Sequence, residues 1–131
     1  MLRPKPNERV SLEHSEDNLQ RAMEALPEAL LALLGNEVIQ AMYGYGAFLH
    51  PDVCYKPMKV GTQWLHRFVK DSLDQRIVVP GKSDFIFLVR DGQLEVEFCH
   101  DAHVHISGSN LSLVEALTKH PSFAATGFRA V

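Results

Sequence analysis

Asp84-Phe-Ile-Phe-Leu-Val-Arg-Asp-Gly-Gln-Leu-Glu-Val-Glu-Phe-Cys99 is the stretch on which the reading of this chain turns. Asp91-Gly92 stands between two runs of alternating apolar residues. That dipeptide favours the two-residue turn of a β-hairpin, because both central positions of the turn need positive φ. The turn sets the register. Arg90 faces Gln93, Val89 faces Leu94, Phe87 faces Val96 and Phe85 faces Phe98. The last three pairs are apolar, so one face of the hairpin belongs to a core. The other face carries Ile86 against Glu97 and Leu88 against Glu95. A slip of one residue would mix the two sets.

Working forward, His100-Asp101-Ala102 predicts a three-residue turn, after which Phe98 faces Val104, Val96 faces Ile106 and Glu97 faces His105. A two-residue turn would bury His103 and His105, which costs free energy unless both rings find partners. Gln75 to Ile106 therefore reads as a three-stranded antiparallel meander, opened by the β-branched run Ile77-Val78-Val79 before Pro80-Gly81. Gly108 ends the last strand. Ser112-Leu113-Val114-Glu115 fits a capping box, with Ser109 or Asn110 as earlier starts. Leu113, Val114 and Leu117 give this short C-terminal helix an apolar side, Pro121 stops it, and Phe123 and Phe128 are expected to tuck the tail against the body.

Working backward, Thr62 is read as the cap of a helix over Gln63 to Leu73. Trp64, Leu65, Phe68, Val69 and Leu73 form its apolar stripe, and Trp64 is expected to be a core anchor. Val38 to Lys59 supports two readings. Asn36 can cap a short helix with Val38, Ala41, Met42 and Tyr45 on one side, or a strand can run through Val38 to Leu49. Gly44 and Gly46 weaken the helix. Leu12 to Leu34 has helical periodicity, with Ser11 as cap and Leu19, Met23 and Leu26 on one face. Pro27 is expected to kink the helix or restart it, and Gly35 is its natural stop. The resulting expectation is an α+β fold: two or three N-terminal helices packed on one face of a three-stranded antiparallel meander, with a short C-terminal helix. Residues 1–10 read as a flexible tail and 11–131 as a single domain.

Composition narrows the function. The chain has 131 residues, 46% apolar and 22% charged, with a formal charge of −3. These are globular values and give no electrostatic footprint for nucleic acid. Between Val53 and Lys82 six basic residues meet two acidic ones, a bias read as an ordinary mixed surface. Cys54 and Cys99 form no CxxC pair and read as free thiols in a reducing, cytoplasmic setting. No apolar run is long enough for a transmembrane helix, and no apolar stretch follows the first basic residues as a secretory signal requires.

The sharpest chemistry lies on the second face of the meander, where Glu95, Glu97, Cys99, His103 and His105 fall together. Thiol, imidazole and carboxylate are zinc ligands, and His-x-His on a strand points both rings the same way. The bland reading is a solvent-facing strand surface, where His and Glu are common. Asp101-Ala102-His103-Val104-His105 resembles the Asp-x-His-x-His motif of metal-dependent amidohydrolases. That resemblance implies a (β/α)₈ barrel of roughly 200 residues or more after the motif. The 26 residues that follow His105 here do not hold one, and the match is read as coincidence. Cys99 beside His103 has the pairing of a nucleophilic thiol, without a legible oxyanion feature. Tyr43-Gly44-Tyr45-Gly46 lacks the pattern of a phosphate loop, and His50-Pro51-Asp52-Val53-Cys54 is weakly spaced for a metal.

Two functional expectations follow. The first is a small soluble module that binds another protein and uses no cofactor or metal, with no nucleic acid or membrane as partner and a homodimer allowed. A bacterial immunity protein that neutralises a toxin, or a chaperone of a secreted effector, has this character. Its binding surface would comprise Arg90, Glu95, Glu97, Asp101, His103 and His105. The second is a metal-binding protein or metal-dependent enzyme using Cys99, His103, His105 and Glu97. No catalytic set is recognisable, which tilts the reading away from an enzyme.

Overall fold

The computed structural model describes residues 5–11 and 14–126. Leu12, Phe128 and the first four residues of the expected tail lie outside them. In chain order the elements are β1 (Arg9–Ser11), α1 (Glu16–Leu34), β2 (Val38–Tyr43), β3 (Met58–Gly61), α2 (Leu65–Asp74), β4 (Phe85–Val89), β5 (Leu94–Phe98), β6 (Val104–Ser107), α3 (Leu111–Lys119) and α4 (Pro121–Ala124). The strands form one six-stranded antiparallel sheet in the order β1-β6-β5-β4-β2-β3.

The expected architecture of a three-stranded meander under several N-terminal helices is thereby corrected. The meander is the centre of a sheet twice its width. β2 pairs along β4, with Ala41 opposite Phe87 and Tyr43 opposite Phe85. β3 pairs outside β2. At the other edge β1 pairs with β6, Arg9 opposite Ile106. Arg9 and Val10, read as tail, are strand residues. The meander keeps its derived register at every paired position, Phe85 opposite Phe98 through Val89 opposite Leu94, then Phe98 opposite Val104, while Arg90, expected to face Gln93, has φ 49° and belongs to the turn. Asp91 and Gly92 both have positive φ, at 51° and 84°, as the hairpin turn demands. Ala102 closes the second turn at φ 65°, the left-handed third residue usual in three-residue hairpin loops.

Among the described residues a single N-terminal helix replaces the expected two or three. Ser15, not Ser11, caps α1, its Oγ accepting from the Asn18 N–H at 3.2 Å. Pro27 lies inside this helix and is buried. A mid-helix proline costs about 3 kcal/mol or more. Leu19, Met23, Leu26 and Leu30 are fully buried on either side of it, and at about 1.5–3 kcal/mol each their burial outweighs that cost.

Trp64 is not a core anchor: it is 65% exposed. Thr62 to Trp64 form a 3₁₀ turn, and α2 begins only at Leu65. Buried Thr62 fixes this entry, donating through Oγ1 to the Gly35 carbonyl at 2.6 Å and accepting from the Glu37 N–H at 3.1 Å. The buried line of α2 is then Leu65, Val69 and Ser72, and its neighbour Trp64 stands about 100° away around the axis. Ile77 to Val79 form no strand, since Ile77 and Val78 both donate to the Ser72 carbonyl. Asn110, the alternative start, caps α3 through its side chain.

All the helices contribute to one core with the inner sheet face, where Phe85, Phe87, Val96, Phe98 and Ile106 are fully buried. Tyr43 stacks on both Phe68 of α2 and Phe85, which also touch each other with centroids 6.0 Å apart, and its hydroxyl hydrogen-bonds the Ser72 hydroxyl at 2.6 Å. Among the described residues no helix is long and apolar enough to cross a membrane.

Candidate metal centre on the outer face of the sheet

Alternation along β4, β5 and β6 sends Ile86, Leu88, Glu95, Glu97 and His105 to the face opposite the helices. Ile86 is buried there, and the other four are half-buried. Just past β5, Cys99 continues the outward series. The turn His100 to Ala102 returns the chain so that the Cys99 N–H donates to the His103 carbonyl at 3.0 Å. Cys99 and His103 therefore lie side by side, with His105 one step along the same face.

Cys99 Sγ and one ring nitrogen each from His103 and His105 all lie within 4.8 Å of one another. Among the described residues this is the one group of three such side chains with that spacing. The thiol is buried and the imidazoles are half-buried. The two rings are 6.1 Å apart between centroids and tilted by 45°. Burial pushes the Cys99 thiol up, against the opposing effect of backbone hydrogen bonds from His103 and Asp101. A thiol so held is a poor free nucleophile. It can still serve a metal, because a bound cation displaces the proton.

Glu97 stands directly opposite His105 but lies outside that group of three. Lys5 Nζ lies 3.6 Å from Glu97 Oε1 and 2.7 Å from Glu95 Oε2. Arg90, from the same predicted surface, makes a two-nitrogen contact with Glu37, the shortest distance being 2.7 Å. Asp101 is exposed on the turn, its Oδ1 3.8 Å from His100 Nε2. The structure thus brings Cys99, His103 and His105 together, joins Glu95 and Glu97 through Lys5, and sets Arg90 apart at the opposite end of β4.

Three contributors escaped the sequence reading. Lys5 sits in the presumed tail. His14 donates its backbone N–H to the Ala102 carbonyl at 3.0 Å and holds Ser11 Oγ at 2.6 Å through Nε2. Burial, reinforced by the neighbouring charge of His103, holds the His14 ring below its ordinary value. Asp84, buried opposite the end of β5, binds His100. Alternation places Asp84 on the outer face, but nothing local announces that His100 folds back onto it. The hydrogen bonds and ion pair of the segment His50 to Cys54 are local, with His50 Nδ1 accepting from the Asp52 N–H.

Comparison with protein-family models, curated proteins and solved structures finds no match to any of the three.

Proposed function

We propose that this protein binds a transition-metal dication, zinc by the character of its ligands, through Cys99, His103 and His105. The observation that carries the proposal is the convergence of one sulfur and two ring nitrogens within 4.8 Å. Zinc takes thiolate and imidazole at about 2.0–2.3 Å in tetrahedral geometry, so donor atoms of one site lie roughly 3–4 Å apart. Binding an ion therefore requires the three side chains to rotate toward one another. Softer thiolate with imidazole disfavours magnesium and calcium, which prefer oxygen. Three protein ligands leave a fourth position for water or an exchangeable carboxylate, the arrangement found where a metal does chemistry rather than only bracing a fold.

Metal analysis of untagged protein tests this directly. One equivalent of zinc per chain is expected, and cobalt substitution should produce thiolate-to-cobalt charge-transfer absorption that disappears in Cys99→Ser. Protein that holds no zinc after dialysis against micromolar zinc, and shows no such absorption, contradicts the proposal.

A second reading, binding of another protein, is supported by a different part of the same face. Exposed Val38 and half-buried Leu88 line a shallow depression with Gln40, Lys59, Arg90 and Asp91. Copurification that is lost on Leu88→Glu, with zinc binding intact, would favour it.

A further inference from the structure

We propose that Lys5 competes with the metal for Glu97, so that the segment leading into β1 acts as an electrostatic latch on the site. This rests on the metal-binding reading above. Lys5 is positioned by hydrogen bonds of the two residues that follow it. The Gly108 N–H donates to the Pro6 carbonyl at 2.8 Å, and Asn7 Nδ2 donates to the Gly108 carbonyl at 2.9 Å. β1 then pairs along β6 from Arg9 onward. The ammonium is thereby delivered to the outer face between Glu95 and Glu97.

Glu97 is the carboxylate best placed to occupy the fourth metal position. It stands opposite His105, where Cβ atoms of facing residues are about 4.5–5.5 Å apart, and it is two residues from Cys99 on the same face. Its competitors are otherwise engaged. Asp84 Oδ1 accepts from both the backbone N–H and the ring of His100, each at 2.8 Å. Glu95 lies one step further away, opposite Ser107. Without metal, the Glu97 charge is shared with Lys5. A dication between Cys99 and the histidines attracts that carboxylate and repels the ammonium. Both forces move Glu97 toward the metal and leave Lys5 with Glu95. The Lys5–Glu97 pair is partly exposed, with side chains 42% and 23% accessible, so it is weak enough to be displaced and is screened by salt.

The test measures zinc affinity by competition with a chromophoric chelator, at low and high salt, for wild type, Lys5→Met, Glu97→Gln and the double variant. Lys5→Met should tighten zinc binding by up to about fivefold at low salt, the size of one exposed ion pair. That gap should close in high salt. Glu97→Gln should weaken binding about tenfold or more, as loss of a metal-site carboxylate does. In the Glu97→Gln background the Lys5 substitution should have a smaller effect, because only the direct repulsion between the ammonium and the ion is left. Equal affinity of wild type and Lys5→Met at low salt overturns the latch, as does a Lys5 effect that is undiminished without Glu97. Failure of the metal reading itself looks different: neither wild type nor Lys5→Met takes up zinc, and the latch falls with it. Both positions are partly exposed, and thermal melts confirm that each variant is folded before its affinity is compared.

Discussion

Asp84 accepts two hydrogen bonds from His100 through the same oxygen, one from the backbone N–H and one from ring Nδ1, both at 2.8 Å. The carboxylate is nearly buried, the ring is 42% accessible, and Tyr45 packs on it with centroids 4.6 Å apart. The hydrogen bond to Asp84 raises His100 above its ordinary value; slight burial opposes this, and the charges of Asp84, Asp101 and Glu97 reinforce it. Because the folded value lies above the unfolded one of about 6.5, the pair's contribution to stability is complete below pH ~6.5. It is lost as pH rises through the folded value. NMR titration of metal-free protein should find His100 titrating above the ordinary histidine range, and Asp84→Asn should return it toward that range. An unchanged His100 titration in Asp84→Asn would refute the assignment.

Zinc should raise the melting temperature of wild type and leave Cys99→Ala and His103→Ala unmoved. A ligand at one hundred times its dissociation constant adds about 2.7 kcal/mol when it binds only the folded state. Differential scanning calorimetry with and without zinc reads the shift, and a chelator should reverse it.

Ala102→Gly should stabilise the protein. Ala102 holds φ 65°, where a Cβ costs about 1–2 kcal/mol. Glycine avoids that strain and gives back about 0.5–1 kcal/mol in unfolded-state entropy. A net gain of up to about 1 kcal/mol by urea denaturation is the expected result. A loss of stability would mean that the turn does not strain the alanine.

Gly108→Ala should do the reverse. Gly108 has φ 154°, and an added Cβ would run into the backbone carbonyl of Gln93. The Gly108 N–H and carbonyl also tie down Pro6 and Asn7. The clash is with main chain, which has little room to yield, so a loss of about 2 kcal/mol or more is expected. Urea denaturation monitored by tryptophan fluorescence would measure it.

What could be read in advance follows from how local each signal is. Asp91-Gly92 and the alternation around it determine the five facing pairs from Phe85–Phe98 to Val89–Leu94 without outside help, and turn length alone carries Cys99, His103 and His105 to one face. β2 was obscured because Gln40, Ala41 and Met42 suit a helix, and its strand character comes from neighbours β3 and β4. β1 has three residues, too few for any periodicity. Trp64 was misplaced by one position, because the Thr62 side chain bonds Gly35 and Glu37 rather than capping the helix. Lys5 meets Glu95 across 90 positions of sequence, a contact that no local pattern encodes.

All three donor side chains lie within the short hairpin from Cys99 to His105, and this bears on when zinc can arrive. In the proposed site a chain that has not yet folded would already present them close together, so zinc could associate with the nascent polypeptide and template the bend between β5 and β6. Zinc bound that early also stabilises the denatured ensemble. Its effect on melting should then be smaller than its affinity for the native protein implies, while its effect on the rate of refolding should be larger.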